Sequence, residues 1–320
     1  MSDRVIRIGT RSSELALRQS RIVEAALEIQ GFECELVTFK TVGDKKLDEP
    51  LSAIGAKGLF THELEVALTK GKVDCCVHSL KDLPTENPEG LEIVAVLERE
   101  DPRDVLVVNS VTQADSLAAI PAGSRIGTSS LRRRAQLKSL RPDLEVVELR
   151  GNVPTRLRKV DQGQVHAAIL AAAGLIRLNA RQHIKEYLEP PAWLPAAGQG
   201  AIAVQIQSDD EEMRTILEAL DHAPTSIAVR AERAFLAALE GGCQVPIGAL
   251  AMPAADATLT LHGFVSDING RDPVRGSIAV DTSAPEGSGQ QLAADLRTRG
   301  ATSLLVELRN AAQTIAPQPE

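Results

Sequence analysis

The sequence predicts an α/β protein of two similar lobes with crossing hinge strands, followed by a small α+β C-terminal domain. Three observations carry this expectation. A strand, Gly-Thr turn and helix occur twice, apolar runs flank a charged turn between the copies, and the pattern changes near residue 222.

The repeat begins where Arg7-Ile8-Gly9-Thr10-Arg11-Ser12 lays over Arg125-Ile126-Gly127-Thr128-Ser129-Ser130. In the first copy an apolar strand from Val5 to Ile8 meets Ser12-Ser13, hydroxyls suited to capping the helix that follows. The second copy enters the helical stretch LRRRAQLKSL from Leu131. Glu35 to Val42 and Leu144 to Leu149 read as equivalent second strands, ending at Gly43-Asp44 and Gly151-Asn152. Gly71 to Val77 then matches Gly163 to Ile169, each a short apolar strand after an amphipathic helix. This β-α-β-α-β order, twice, favours parallel sheets with helices on both faces and ligands beyond the carboxyl ends of the strands.

Between the copies, Leu91 to Leu97 and Val105 to Val108 flank Glu98-Arg99-Glu100-Asp101-Pro102-Arg103-Asp104 and read as a two-strand hinge. Ala201 to Ile206, after Pro195-Ala196-Ala197-Gly198-Gln199-Gly200, reads as a strand crossing back into the first lobe. Beyond residue 222 come helix Ser226 to Leu239, a Gly241-Gly242 stop, strands Gln244 to Ala251, Thr258 to Val265 and Val274 to Val280, and helices Gln290 to Arg299 and Thr302 to Ala312. Asp267-Ile268-Asn269-Gly270 signals a hairpin between the last two strands. The expected domains are 1–98 plus 199–220, 99–198, and 221–320.

Composition excludes several classes. At roughly 100–200 residues per domain, 320 residues allow two or three domains. No apolar run reaches the roughly 18–20 residues of a membrane span, and Met1 to Thr10 lacks the apolar region of a signal peptide, so a cytoplasmic location without membrane attachment is expected. The chain carries a net charge of -8 and is 2% aromatic, which argues against nucleic acid as a partner. Four cysteines, Cys34, Cys75, Cys76 and Cys243, are too few and too irregular for a disulfide framework. Cys75 and Cys76 are expected to pack on opposite faces of one strand. The six histidines never fall at i, i+4 spacing, and no metal site is readable.

Charge is nevertheless concentrated locally. Residues 125–160 hold ten Lys and Arg against three acids, where an even spread places about four. Arg134, Lys138, Arg158 and Lys159 read as a solvated helix face. Arg11 and Arg132 follow the repeated turns, where a helix N-terminus already favours an anion, and Arg150 and Arg156 flank the second such turn. Several guanidinium forks around one cleft suit a ligand with several carboxylates or phosphates.

Three loops hold further candidates. Lys57-Gly58 reads equally as an anion loop or a plain turn. Asp82, in His78-Ser79-Leu80-Lys81-Asp82-Leu83-Pro84, follows the third strand at the crevice rim, where it either pairs with Lys81 or stabilises a developing cation and carries a proton. Cys243, in Glu240-Gly241-Gly242-Cys243-Gln244, reads equally as a packed thiol or as an accessible nucleophile.

Taken together, IGTRSSELAL from Ile8, KGLF from Lys57, HSLKDLPT from His78, GTSSLRRRAQL from Gly127, RGNVPTRLRK from Arg150, AAGQGA from Ala196 and AERAFLAALEGGCQVPIG from Ala231 resemble the porphobilinogen deaminase (hydroxymethylbilane synthase) family along nearly the whole chain. The resemblance implies two lobes like periplasmic binding proteins and a third domain with a dipyrromethane cofactor bound covalently through Cys243. It implies a monomeric transferase that removes ammonia from porphobilinogen, couples four pyrroles head to tail and releases hydroxymethylbilane by hydrolysis. A bound hexapyrrole then carries about a dozen anionic groups, which accounts for arginines gathered within an acidic protein.

By the same resemblance, Asp82 is the catalytic carboxylate. Ser79, Lys81, Thr128, Ser130, Arg132 and Arg133 hold the cofactor, while Arg11, Ser13, Gln19, Lys57, Arg150, Arg156, Arg177 and Gln199 surround incoming substrate. The sequence departs from the family pattern at Ala53-Ile54, where some relatives carry another lysine, at Pro154 for Gly and at Gln205 for Glu. Consecutive helical residues turn by about 100°, so Arg132, Arg133 and Arg134 cannot share one ligand, and Arg134 is the expected outlier. The alternative is a non-catalytic two-lobed binding protein for a small anion.

Overall fold

The computed structural model of the chain describes residues 4–41, 43, 60–239 and 245–306. Ala53, Ile54, Lys57 and Cys243 lie outside them. The first lobe runs β1 (Ile6–Arg11), α1 (Glu14–Ile29), β2 (Cys34–Phe39), α2 (His62–Thr69), β3 (Cys75–Ser79) and β4 (Leu91–Val96). The second holds β5 (Asp104–Val108), β6 (Arg125–Gly127), α3 (Leu131–Leu140), β7 (Glu145–Val147), α4 (Val153–Asp161), β8 (Ala167–Ala171), α5 (Ala172–Arg177) and β9 (Ile184–Leu188). The chain then forms β10 (Ile202–Gln207) and α6 (Glu211–Glu218) before the third unit.

Helix starts are set by the hydroxyls that the repeat supplies. Ser13 accepts from the Ala16 amide and Ser130 from the Arg133 amide, each satisfying one of the otherwise unpaired N–H groups of a first helical turn. Both caps stand just past the carboxyl end of a strand, so the two helices open onto the same side of their sheets.

The two sheets have matching orders, β2-β1-β3-β10-β4 and β7-β6-β8-β5-β9. In each, the first three strands are parallel, as the repeat predicts. The fourth is antiparallel to both neighbours and comes from the other side of the hinge. A wholly parallel sheet is therefore not observed, because a strand arriving directly from the opposite lobe has no crossover helix to reverse its direction. Asp104, expected in the charged turn, begins β5 instead, and β9 was not foreseen.

Cores form on both faces of each sheet. Cys75 packs with Val23 and Leu27 of α1, whereas Cys76 packs with Leu64 and Leu68 of α2. Both thiols are fully buried and their pKa values are raised by burial, which agrees with the packing reading.

The third unit comprises α7 (Ala223–Ala238), β11 (Ile247–Pro253), β12 (Leu259–Val265), β13 (Val274–Ala279) and α8 (Pro285–Leu296). Its three strands form one antiparallel sheet, and α7 and α8 pack on it around Phe235, Leu261 and Leu292. Helix α8 starts earlier than expected, and residues 302–306 are helical.

Candidate functional site

The carboxyl ends of β3 and β8 face one another across the hinge. A cavity of about 80 Å³ lies between them, lined by Gln19, Ser79, Lys81, Arg133, Arg156 and Arg177 among others, so six residues singled out from sequence converge there. The lobes meet closely, since Leu15 of α1 faces Gly174 of α5.

Each cation is placed by a local cause. Lys81 sits in the one-turn 3-10 helix Leu80–Asp82 that follows β3, and its ammonium donates to Gln199 Oε1 at 3.3 Å. Burial pushes Lys81 down to about 8, with Arg133 and Arg132 adding to the effect and Asp82 opposing it. Arg156, in the first turns of α4, is bent back so that Nε donates to the Gly151 carbonyl at 2.7 Å. Burial lowers it to about 10, with the Arg133 charge contributing and Asp82 opposing. Arg177, at the end of α5, donates to the Gly200 carbonyl at 2.7 Å and is likewise lowered to about 10 by burial.

Gln19 and Ser79 share a hydrogen bond of 2.8 Å, joining α1 to the end of β3. Arg11 stacks over the Phe60 ring, 4.4 Å from its centroid. Ser13 and Ser130 cap their helices, and Thr128 Oγ1 accepts from the Ser130 amide at 3.2 Å. Asp82 is half-buried on the turn that presents Lys81.

Sequence reasoning missed the hub beneath the cavity, Asp104. Its Oδ1 accepts from Arg133 Nη2 at 2.7 Å and Gln199 Nε2 at 2.8 Å, and its Oδ2 from Arg132 Nη1 at 2.7 Å and Trp193 Nε1 at 2.8 Å. Burial alone raises a carboxyl, but the two guanidinium groups overcome it and hold Asp104 far below the usual range. The only signal in the sequence is an acid abutting the apolar run Val105 to Val108. Arg132 is thus turned inward, its Nη1 also donating to the Leu194 carbonyl, and it does not line the cavity. Arg133, its neighbour, reaches both Asp104 and the cavity wall. Arg150 is half-buried, with Glu148 at 4.0 Å.

This arrangement can hold an anion of several charges. Lys81, Arg156 and Arg177 are cations that burial disfavours, and Arg132 Nε and Arg150 Nη1 are buried without a hydrogen-bond partner. A polycarboxylate adds countercharge to the first set and acceptors to the second, so the donors present fit a dipyrromethane bearing carboxylate side chains. Among the described residues no group of three or more His, Cys, Asp or Glu side chains could hold a metal ion, and no helix is long and apolar enough to cross a membrane.

Comparison with known proteins agrees. Residues 6–215 match the family model "Porphobilinogen deaminase, dipyromethane cofactor binding domain", and residues 226–298 match "Porphobilinogen deaminase, C-terminal domain". The chain is 52% identical to the porphobilinogen deaminase of Moorella thermoacetica over 95% of this chain and 96% of that one. It is 49% identical to that of Syntrophobacter fumaroxidans, over 97% of this chain and 100% of the other. Among solved structures, the methionine binding protein MetQ aligns with a TM-score of 0.44 at 14% identity, over 74% of this chain and 94% of that one. The lipoprotein Tp32 from Treponema pallidum aligns at 0.45 and 16%, over 68% and 91%. Matches of this extent to an enzyme family do not favour a non-catalytic binding protein. The chain belongs to the porphobilinogen deaminase family, transferases that condense four porphobilinogen molecules onto a covalent dipyrromethane cofactor with release of ammonia.

Proposed function

We propose that the cavity between the lobes is where porphobilinogen loses ammonia and joins the growing chain, with Asp82 as the catalytic carboxylate. The observation that carries this reading is the set of burial-disfavoured cations, Lys81, Arg156 and Arg177, around one cavity beside the Asp82 turn. When bound through the Cys243 sulfur, the dipyrromethane supplies a nucleophilic pyrrole carbon.

Ser79, Lys81, Thr128, Ser130, Arg132 and Arg133 hold its carboxylates, with Arg132 acting from beneath the wall through its unpartnered Nε. Arg11, Ser13, Gln19, Lys57, Arg150, Arg156, Arg177 and Gln199 receive the carboxylates of porphobilinogen. Asp82 stabilises the positive charge left on the substrate pyrrole as ammonia departs. It then accepts the proton released when the new carbon–carbon bond restores aromaticity. The surrounding guanidinium groups orient substrate and keep water from the cation.

Three units divide the work: 1–98 with 199–220, 99–198, and 221–320. Matching sheet orders support the first two as facing halves of one cleft. A monomer is proposed because one chain supplies both walls, and a cytoplasmic location because Cys34, Cys75 and Cys76 are free thiols.

Intact-mass measurement tests the reading. The purified chain is expected to carry an adduct of two pyrrole units that is absent from Cys243→Ser. Asp82→Asn is expected to keep the adduct and lose nearly all turnover. An unmodified wild-type chain with full activity rules out the covalent cofactor, and normal turnover in Asp82→Asn removes Asp82 from the chemistry.

A further inference from the structure

The Asp82 turn is held from behind by the helix that leads to Cys243. Leu80 and Leu83, on either side of Asp82, are buried against Val229 of α7 in one apolar cluster. One helical turn further on, Arg233 extends from the same face of α7, and its Nη2 donates to the Pro84 carbonyl at 2.7 Å and the Thr85 carbonyl at 3.3 Å. These are the residues by which the chain leaves the turn.

Its neighbours on α7 are neutralised by opposite charges. Arg230 pairs with Glu286, and Glu232 pairs with Arg99. Arg233 instead meets backbone carbonyls, and burial lowers its pKa with no opposing carboxylate among the causes. A half-buried guanidinium held by neutral acceptors is a costly way to add stability, whereas its rigid fork is well suited to fixing carbonyl positions. Helix α7 ends at Ala238, five residues before Cys243.

We propose that Arg233 is a positioning residue for Asp82: by clamping the Pro84 and Thr85 carbonyls it fixes the turn that carries the carboxylate. This inference rests on the reading of Asp82 as the catalytic carboxylate. Its physical basis is that a displacement of about 1 Å in a reacting group costs about 100-fold in rate. The Arg233 guanidinium itself touches neither substrate nor cofactor in this role.

The test uses the full-length holoenzyme carrying Arg233→Gln, Arg233→Lys, Asp82→Asn, or Arg233→Gln with Asp82→Asn. For Arg233→Gln the expected result is a normal cofactor adduct, a KM for porphobilinogen within about twofold of wild type and a kcat lowered about 10- to 100-fold. Arg233→Lys, which retains one charged donor, is expected to recover part of that kcat. Arg233→Gln is expected to slow Asp82→Asn by less than about twofold, since the carboxylate it positions is already gone. Wild-type kcat in Arg233→Gln, or full additivity in the double variant, overturns the inference while leaving Asp82 in place. Should Arg233→Gln fail to fold, Arg233→Lys decides by the same split: a lowered kcat with unchanged KM and adduct supports the clamp, and wild-type kcat overturns it. Wild-type turnover in Asp82→Asn instead overturns the underlying reading.

Discussion

Two buried titratable residues show how charge is handled at the level of single side chains. Asp104 is ionised because Arg132 and Arg133 hold it so, while His78 on β3 has burial against it and no compensating charge. Burial, with the Arg11 charge adding to it, lowers His78 from 6.5 to about 4. The folded state therefore refuses a proton that the unfolded chain accepts between about pH 6.5 and 4, so stability is full above that window and lost as pH falls through it. The expected loss is about 2 kcal/mol at pH 5 relative to pH 7, read by urea unfolding. His78→Gln is expected to abolish that slope. Asp74, held to about 2 by Arg7 and Arg4 against the effect of burial, stabilises the fold above about pH 4 and loses that contribution only as pH falls from there towards 2. The concentration of arginines was legible in the sequence, but their destinations were not. Arg134, the expected outlier, is not among the residues that line the cavity, but neither is Arg132, whose partner Asp104 lies 28 residues away in the chain and could not be read from local spacing.

At the level of elements, the hinge depends on a backbone-to-backbone approach. Gly200 has φ +89°, and a Cβ there would stand 2.3 Å from the Glu100 carbonyl oxygen. Gly200→Ala is expected to cost about 2–4 kcal/mol in urea unfolding, since left-handed strain and overpacking add. Gly163→Ala, at φ +72° with nothing within 4 Å of the added carbon, isolates the strain and is expected to cost about 1–2 kcal/mol. Helix α3 was legible to the residue, because a capping serine and a clear stretch of helix formers mark its ends. Strand β9 was not, since Ile184-Lys185-Glu186-Tyr187-Leu188 mixes charge into a short run without a turn signal. The direction of β5 and β10 was also hidden, because an apolar strand reads the same whichever way its partners run.

For the molecule as a whole, one carboxylate joins the third unit to the rest. Glu232 is fully buried and accepts from Arg99 Nη1 at 2.6 Å, Arg99 Nη2 at 3.0 Å, the Gly198 amide at 2.7 Å and the Ala251 amide at 2.9 Å. It thus binds both hinge segments and β11 to α7. Removing one partner of a buried pair costs about 3–5 kcal/mol, so Glu232→Gln is expected to split calorimetric unfolding into two transitions, the third unit melting first. A single transition at the wild-type temperature contradicts that coupling. The sequence marked the third unit by its change of pattern, whereas its seat against the hinge depends on partners 133 residues apart that no local spacing records.

The exchanged strands also constrain how the protein is made. In the first sheet β10 lies between β3 and β4, so those two strands have no shared neighbour until residue 207 has left the ribosome. During translation the first lobe must wait, its amide edges open, while the entire second lobe is synthesised. A polypeptide released before that point leaves an incomplete sheet whose exposed edges invite pairing with other nascent chains.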